Sequence, residues 1–155
     1  MAQKKQAIHP FKQTAKQTFN DAWKLLNKKK LNKEEKITLL NLVHTSFYLW
    51  QQIPECNATN ISISLWQISR AYAHIGDGSN ALLFAEQNIK LSKENNLDGF
   101  YIAYAHESAA RANIISKNNI KAGTQINLAL KAIRTSNEEH SEILLSDINS
   151  LKNLL

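Results

Sequence analysis

Between residues 61 and 92 the apolar positions run in one helical phase, stop, and resume in another. Ile61, Leu65, Ile68, Tyr72 and Ile75 recur at spacings of four, three, four and three, which places them on one face of an α-helix. Gly76 interrupts the pattern. A glycine just beyond the last periodic residue suits the left-handed conformation that ends many helices. Asp77 follows it, and its carboxylate can accept the free N–H groups of a second helix. That helix carries Leu82, Ala85, Ile89 and Ser92 on one face, with Ala81 and Asn88 beside them. Small residues at 81 and 85 allow two helices to approach closely. The stretch therefore predicts a helical hairpin.

The rest of the chain repeats this reading with variations. A first helix is predicted from about Phe11 to Lys29, burying Phe11, Ala15, Phe19, Ala22, Trp23 and Leu26. Asn32 and Glu35 are spaced as a capping box, so a second helix should begin at Lys33 and run to Ile53, before Pro54. It carries two apolar stripes: Ile37, Leu40, Val43, Phe47 and Trp50 on one, Leu39, Leu42 and Leu49 on the other. A helix apolar on most sides is expected to be packed from two directions, so this one is placed centrally. After the hairpin, residues 95–99 form a turn cluster of Asn, Asp and Gly. A fifth helix, Phe100 to Ser116, presents Ile102, Ala105, Ala109 and Ala112. Asn118 and Asn119 separate it from a sixth, Ile120 to Thr135, with Ala122, Ile126, Ala129, Leu130 and Ile133 inward. A seventh starts near Glu138 with the stripe Leu144, Ile148, Leu151 and Leu155, and Glu138, Glu139 and Glu142 suit its N-terminal end. Residues 1–10 read as a mobile tail, and 11–155 as one domain.

Shifting the chain on itself by 41 residues aligns the hairpin with the fifth and sixth helices. Arg70-Ala71 falls on Arg111-Ala112, Asp77 on Asn118, Ala81 on Ala122, Ala85 on Ile126, Ile89 on Leu130 and Ser92 on Ile133. The first two helices need a shift of 45, which superimposes the caps Asn32 and Asp77. With only four glycines and two prolines in 155 residues, helix breakers are too scarce for anything but an all-α fold. The expected architecture is three antiparallel helical hairpins, each burying its apolar face on the next, and a terminal helix that caps the stack.

The residues Leu65, Ile68, Ser69, Tyr72, Gly76, Asp77, Ala81 and Ala85, repeated more loosely over 106–133, resemble a degenerate tetratricopeptide repeat. Three features depart from that pattern: the period exceeds the usual length of about 34 residues, Asn88 stands where a small residue is expected in the first copy, and Lys117 stands where a glycine is expected. From about His44 to Leu151 the chain also resembles a group of small bacterial proteins of this class with no assigned activity. Trp50, Asn60, Trp66, Arg70, Gly76-Asp77, Tyr104, Glu107, Arg111 and Leu145-Ser146-Asp147 carry that similarity. The resemblance implies a bacterial cytoplasmic protein but no reaction. It also implies that the first helix of each hairpin lines a concave groove. The aligned inward pairs are then Ile63 with Tyr104, Trp66 with Glu107, Arg70 with Arg111, and Ala73 with Ile114.

Two arginines, a tryptophan, a tyrosine and a glutamate on one surface suit a peptide or an anionic ligand. Arginine offers a planar fork for carboxylates, and aromatic rings offer apolar area at low entropic cost. The competing reading is internal: Glu107 and Arg111 are four apart and can pair on their own helix, while Trp66 can belong to the core. His44, with Tyr48 four residues on, is a secondary candidate as a base or ligand, against a plain core histidine. A pocket of His44, Glu107 and Arg111 would suit an enzyme or a small-ligand site. No paired-histidine zinc spacing, phosphate loop or glycine-flanked serine occurs, so no catalytic residue, metal or cofactor is expected. A protein or peptide partner is expected, with self-association into a homo-oligomer among the ways of supplying one.

Charge refines this picture. The net charge is +6, but residues 1–36 hold ten lysines against three acids. The basic character is therefore confined to the first segment. It suits contact with nucleic acid or an anionic membrane surface or, more plainly, a solvated face. Phe11, Phe19 and Trp23 fall on the opposite, apolar side and are expected in the core. The single cysteine, Cys56, rules out an internal disulfide and fits a reducing compartment. No apolar run approaches the roughly 18 residues that would span a bilayer, and the start MAQKKQAIHP lacks the apolar segment of a secretory signal.

Overall fold

The computed structural model describes residues 9–137, 139 and 141–155. They form seven α-helices: α1 (Pro10–Leu26), α2 (Lys33–Gln51), α3 (Ala58–His74), α4 (Gly78–Glu94), α5 (Gly99–Ile115), α6 (Asn119–Ile133) and α7 (Ser141–Lys152). Consecutive helices pack within two compact units, residues 1–56 and 57–155. Residues 1–8, most of the expected tail, and Glu138 lie outside the described residues.

In the first unit α1 and α2 form a hairpin. His9 caps α1, its Nδ1 accepting the Phe11 N–H at 3.3 Å, with Pro10 in the first turn. That position tolerates proline because its missing N–H would have no helical partner. The capping box opens α2 as expected: Asn32 Oδ1 accepts the Glu35 N–H at 2.8 Å, and Glu35 Oε2 accepts the Asn32 N–H at 3.0 Å. Ala15 and Ala22 are fully buried, as are Leu39, Val43 and Ser46 of α2. Ser46 Oγ donates to the Ala15 carbonyl at 2.9 Å.

Two expectations change here. Neither stripe of α2 is buried along its length: only Val43 of one and Leu39 of the other are. Ile37 is 54% exposed and Tyr48 61%, while Leu40, Leu42, Phe47, Leu49 and Trp50 are half-buried. Length of apolar sequence does not by itself provide neighbours, and within its unit α2 has α1 alone. Phe11 is 43% exposed rather than core; it sits in the opening turn of α1, its ring edge-on to His9 at 5.3 Å between centroids.

In the second unit α3, α5 and α7 lie side by side. Helix α4 packs on α3 and α5, and α6 packs on α5 and α7. The helix with neighbours on every side is therefore α5. Its packed residues are small: Ala103, Ala105, Ser108, Ala109, Ala110 and Ala112 are all buried. Short side chains let four helices approach one. Gly78 at the start of α4 serves the same end, since a Cβ there would collide with Ser116 Oγ and crowd the Ala112 carbonyl. The terminal helix joins this packing through Leu144, Ile148 and Leu151, which share a cluster with Ile126 and Ile133; Leu155, expected in the stripe, is 48% exposed.

The 41-residue period is carried by the helix boundaries. Helices α3 and α5 are 17 residues each and offset by 41 at both ends. The turns coincide as well. Gly76 (φ +88°) and Lys117 (φ +58°) are both left-handed, as is Asn96 (φ +49°) at the end of α4. Each is followed by an N–H that reaches back across the last turn: Asp77 to the Tyr72 carbonyl at 2.9 Å, Leu97 to Ser92 at 3.0 Å, Asn118 to Asn113 at 2.8 Å. This is the Schellman closure. Asp77 and Asn118 then turn to cap the next helix, accepting the N–H groups of Asn80 at 3.0 Å and Lys121 at 3.2 Å. The departure noted in sequence, lysine for glycine, thus leaves the turn intact at a steric cost. Among the described residues no helix is long and apolar enough to cross a membrane.

Lys117→Gly should stabilise the protein by roughly 0.5–1 kcal/mol, the relief of left-handed strain less the extra freedom glycine gives the unfolded chain. Gly76→Ala should destabilise it by about 1 kcal/mol. Urea midpoints at constant slope check both; an unchanged midpoint for both variants would refute the shared role of the two turns.

Candidate functional site

The groups aligned by the 41-residue shift meet on the face formed by α3, α5 and α7. Trp66 and Arg70 are one turn apart on α3, and Tyr104, Glu107 and Arg111 follow one another along α5. Glu107 is the centre. Its side chain is fully buried, which a carboxylate tolerates only when paired. Oε1 accepts Arg111 Nε at 3.0 Å and Arg111 Nη2 at 2.5 Å. Oε2 lies 3.5 Å from Trp66 Nε1, at the outer limit of a hydrogen bond.

The two arginines differ despite their equivalent positions. Arg111 is committed to Glu107. Arg70 Nη1 stands 3.7 Å from Glu107 Oε1, an ion-pair separation without a hydrogen bond. That nitrogen is buried and has no hydrogen-bond acceptor among the described residues, and only 25% of the Arg70 side chain is exposed. Burial, and then the neighbouring Arg111 charge, lower its pKa from the ordinary value.

A further residue enters from α7. Asp147 is half-buried and faces Arg70, Arg111, Glu107 and Tyr104, yet makes no hydrogen bond or ion pair with a described residue. Burial, and then the Glu107 charge, raise its pKa; the two arginines oppose this. Tyr104 is pushed up to about 12, by burial first and then by Asp147 and Glu107.

Beside these charges lies an apolar pocket of about 250 Å³ lined by Ser62, Ile63, Trp66, Phe100, Tyr101 and Tyr104. Its aromatic wall is rigid: Trp66 and Tyr104 meet edge to face at 5.0 Å, and Phe100 meets Tyr104 at 4.9 Å. Beneath it Ser62 Oγ and Ser92 Oγ are 3.2 Å apart, and Ser92 Oγ donates to Asn88 Oδ1 at 3.2 Å.

Trp66, Arg70, Tyr104, Glu107 and Arg111 are thus brought together, with Ile63 on the pocket wall. The fourth aligned pair is not. Ala73 is buried against Ala81 and Ala112, and Ile114 packs on the α6–α7 cluster, because the closing turns of α3 and α5 are where the hairpins press together. His44 stands on α2 in the first unit, half-buried, its pKa lowered by burial. His106, next to Glu107 in sequence, points elsewhere: its Nδ1 pairs with Gln125 Oε1 at 2.7 Å. Ser62, Phe100, Tyr101 and Asp147 were not singled out by sequence as site residues. Another 41-residue step carries the buried positions 103, 107 and 110 onto Leu144, Ile148 and Leu151, so α7 continues the series, but the same step sets Asp147 on His106, which points away, and gives no signal for Asp147. Among the described residues no cluster of His, Cys, Asp or Glu could hold a metal ion.

Compared with protein-family models, with curated proteins and with solved structures, the chain matches none.

Arg111→Ala should cost about 2–3 kcal/mol, because it strips a buried carboxylate of its hydrogen bonds. Arg70→Met should cost less than about 1 kcal/mol, since it removes a poorly satisfied buried charge and keeps an apolar stem. Equal losses in chemical denaturation would contradict the division of roles.

Asp147 has a raised pKa in the folded chain, so its contribution to stability is fully present below the ordinary value of 3.8 and is lost as pH rises through the folded value. Asp147→Asn should therefore melt above wild type at pH 7, and the advantage should vanish on acidification below 3.8. A variant that melts below wild type at pH 7 would show the carboxylate to be a net stabilising partner of the arginines.

Proposed function

We propose that the chain is a helical-repeat binding module that holds a protein or peptide segment on the α3–α5–α7 face. One observation carries this: Arg70 brings a mostly buried guanidinium to that face with an N–H that has no acceptor among the described residues. Buried donors are almost always satisfied. In a finished core this one would be a defect; on a binding face it awaits a carbonyl or carboxylate. The adjacent pocket supplies the apolar area, through Trp66 and Tyr104, that peptide recognition uses as an anchor.

The resemblance to tetratricopeptide repeats points the same way, since the first helices of the hairpins, α3 and α5, furnish most of the site. Glu107 and Arg111 form its floor and hold the rings in place. The same resemblance, with the lone cysteine, favours a bacterial cytoplasm as the setting. A segment of a second copy is one partner that would make the protein a homo-oligomer.

Selection of linear nine-residue peptides from a display library tests the reading. Enriched peptides should bind wild type and lose at least about tenfold in affinity, roughly 1.4 kcal/mol, in Arg70→Met, while that variant melts with wild type. Peptides that bind both proteins equally would remove Arg70 from the site, and selection that enriches nothing would overturn the function.

A further inference from the structure

The α3–α5–α7 face presents three unfilled requirements close together. Arg70 has a buried N–H with no acceptor among the described residues. Asp147 has a carboxylate with no donor among the described residues. The pocket walled by Ile63, Trp66, Phe100 and Tyr104 is apolar. Tyr104 belongs to the pocket and faces both Asp147 and Arg70. Trp66 of the pocket wall and Arg70 are one turn apart on α3, so their Cβ atoms are about 5–6 Å apart.

These requirements define the complement. Glu107 already neutralises Arg111 through two hydrogen bonds. The charges left over, one positive on Arg70 and one negative on Asp147, cancel. A purely anionic side chain would satisfy Arg70 and be repelled by Asp147, and a cationic one the reverse. A ligand carrying one acceptor and one donor satisfies both. The pocket, at about 250 Å³, falls below the roughly 300–1,000 Å³ typical of cofactor and drug-sized sites, and suits a single side chain. An amino-acid residue has this pattern: a carbonyl, an N–H and a side chain diverging from one α-carbon.

Resting on the peptide-binding reading above, we propose that the site anchors one large apolar residue of a peptide. Its side chain fills the Ile63–Trp66–Tyr104 pocket, its main-chain carbonyl accepts from Arg70, and a main-chain N–H donates to Asp147. Selectivity then comes from the pocket, and the two charges recognise main chain regardless of sequence. The preferred partner is a segment with an exposed Phe, Leu or similar residue, rather than an acidic tail.

The test uses five peptides, acetyl-Gly-Gly-X-Gly-Gly-amide with X as Phe, Leu, Gly, Glu or Lys, titrated into the ¹⁵N-labelled full chain with the Trp66 indole N–H as reporter. The Phe and Leu peptides should bind at least tenfold more tightly than the other three. Ile63→Trp, which fills the pocket, should erase that preference. Arg70→Met and Asp147→Asn should each weaken all the peptides by a similar factor and leave their ranking unchanged. Tightest binding by the Glu peptide would overturn this inference while leaving peptide binding intact. Binding of free phenylalanine with none of the five peptides would overturn the peptide reading as well.

Discussion

A helix packed on four others must be made of small residues, and α5 of the second unit is held to that constraint. It contacts α3, α4, α6 and α7, and nearly every residue from Ala103 to Asn113 is buried. Alanine dominates because only a short side chain leaves room for a neighbouring backbone at each quarter of the circumference. The one fully buried charged residue in that run, Glu107, has to be paired where it stands. Arg111, one turn away, does so with two hydrogen bonds. The candidate site grows from this need: a buried carboxylate draws two arginines and an indole toward it, and α7 brings Asp147 to the same place.

The repeat then separates residues that sequence alone treats as equals. Arg70 and Arg111 occupy the same position in successive units, but Trp66 on α3 corresponds to Glu107 on α5. Arg111 therefore has a carboxylate one turn below it, and Arg70 has an indole. One arginine becomes part of the frame and the other keeps an N–H with no acceptor among the described residues. A conserved geometry with exchanged side chains turns a symmetric scaffold into an asymmetric surface. The turns behave in the opposite way. Gly76 and Lys117 differ in chemistry and adopt the same left-handed conformation, because the hydrogen bonds of Asp77 and Asn118 leave the chain no other route.

Much of the fold was legible in the sequence. The spacings of Ile61 to Ile75, the capping box at Asn32 and the 41-residue shift are local or periodic, and such signals survive without knowledge of neighbours. Helix ends agree with expectation to within a few residues wherever a cap or left-handed residue marks them. The errors concern burial. Helix α2 looked central because it is apolar on two stripes, and α5 looked ordinary because alanine is a weak hydrophobic signal. Burial depends on how many elements surround a helix, and small residues record crowding better than large ones record depth. The site was half legible: five of its polar and aromatic residues followed from the shift read together with the resemblance to tetratricopeptide repeats, whereas Asp147 and the Phe100–Tyr101 wall depended on which helix lay next to which.

By itself the sequence determined an all-α chain, its seven helices, the turn chemistry and the alignment of α3 with α5, since hydrogen bonding and periodicity within a few turns are encoded by adjacent residues. Only the tertiary structure decided that α5 is the helix surrounded by four others, that Glu107 takes Arg111 and leaves Arg70 open, and that Asp147 completes the face from α7. Apart from the Glu107–Arg111 pair, which is local to α5, those outcomes are distances between residues far apart in the chain. They arise because close packing admits one arrangement of small and large side chains, and buried charge then has to pair within it.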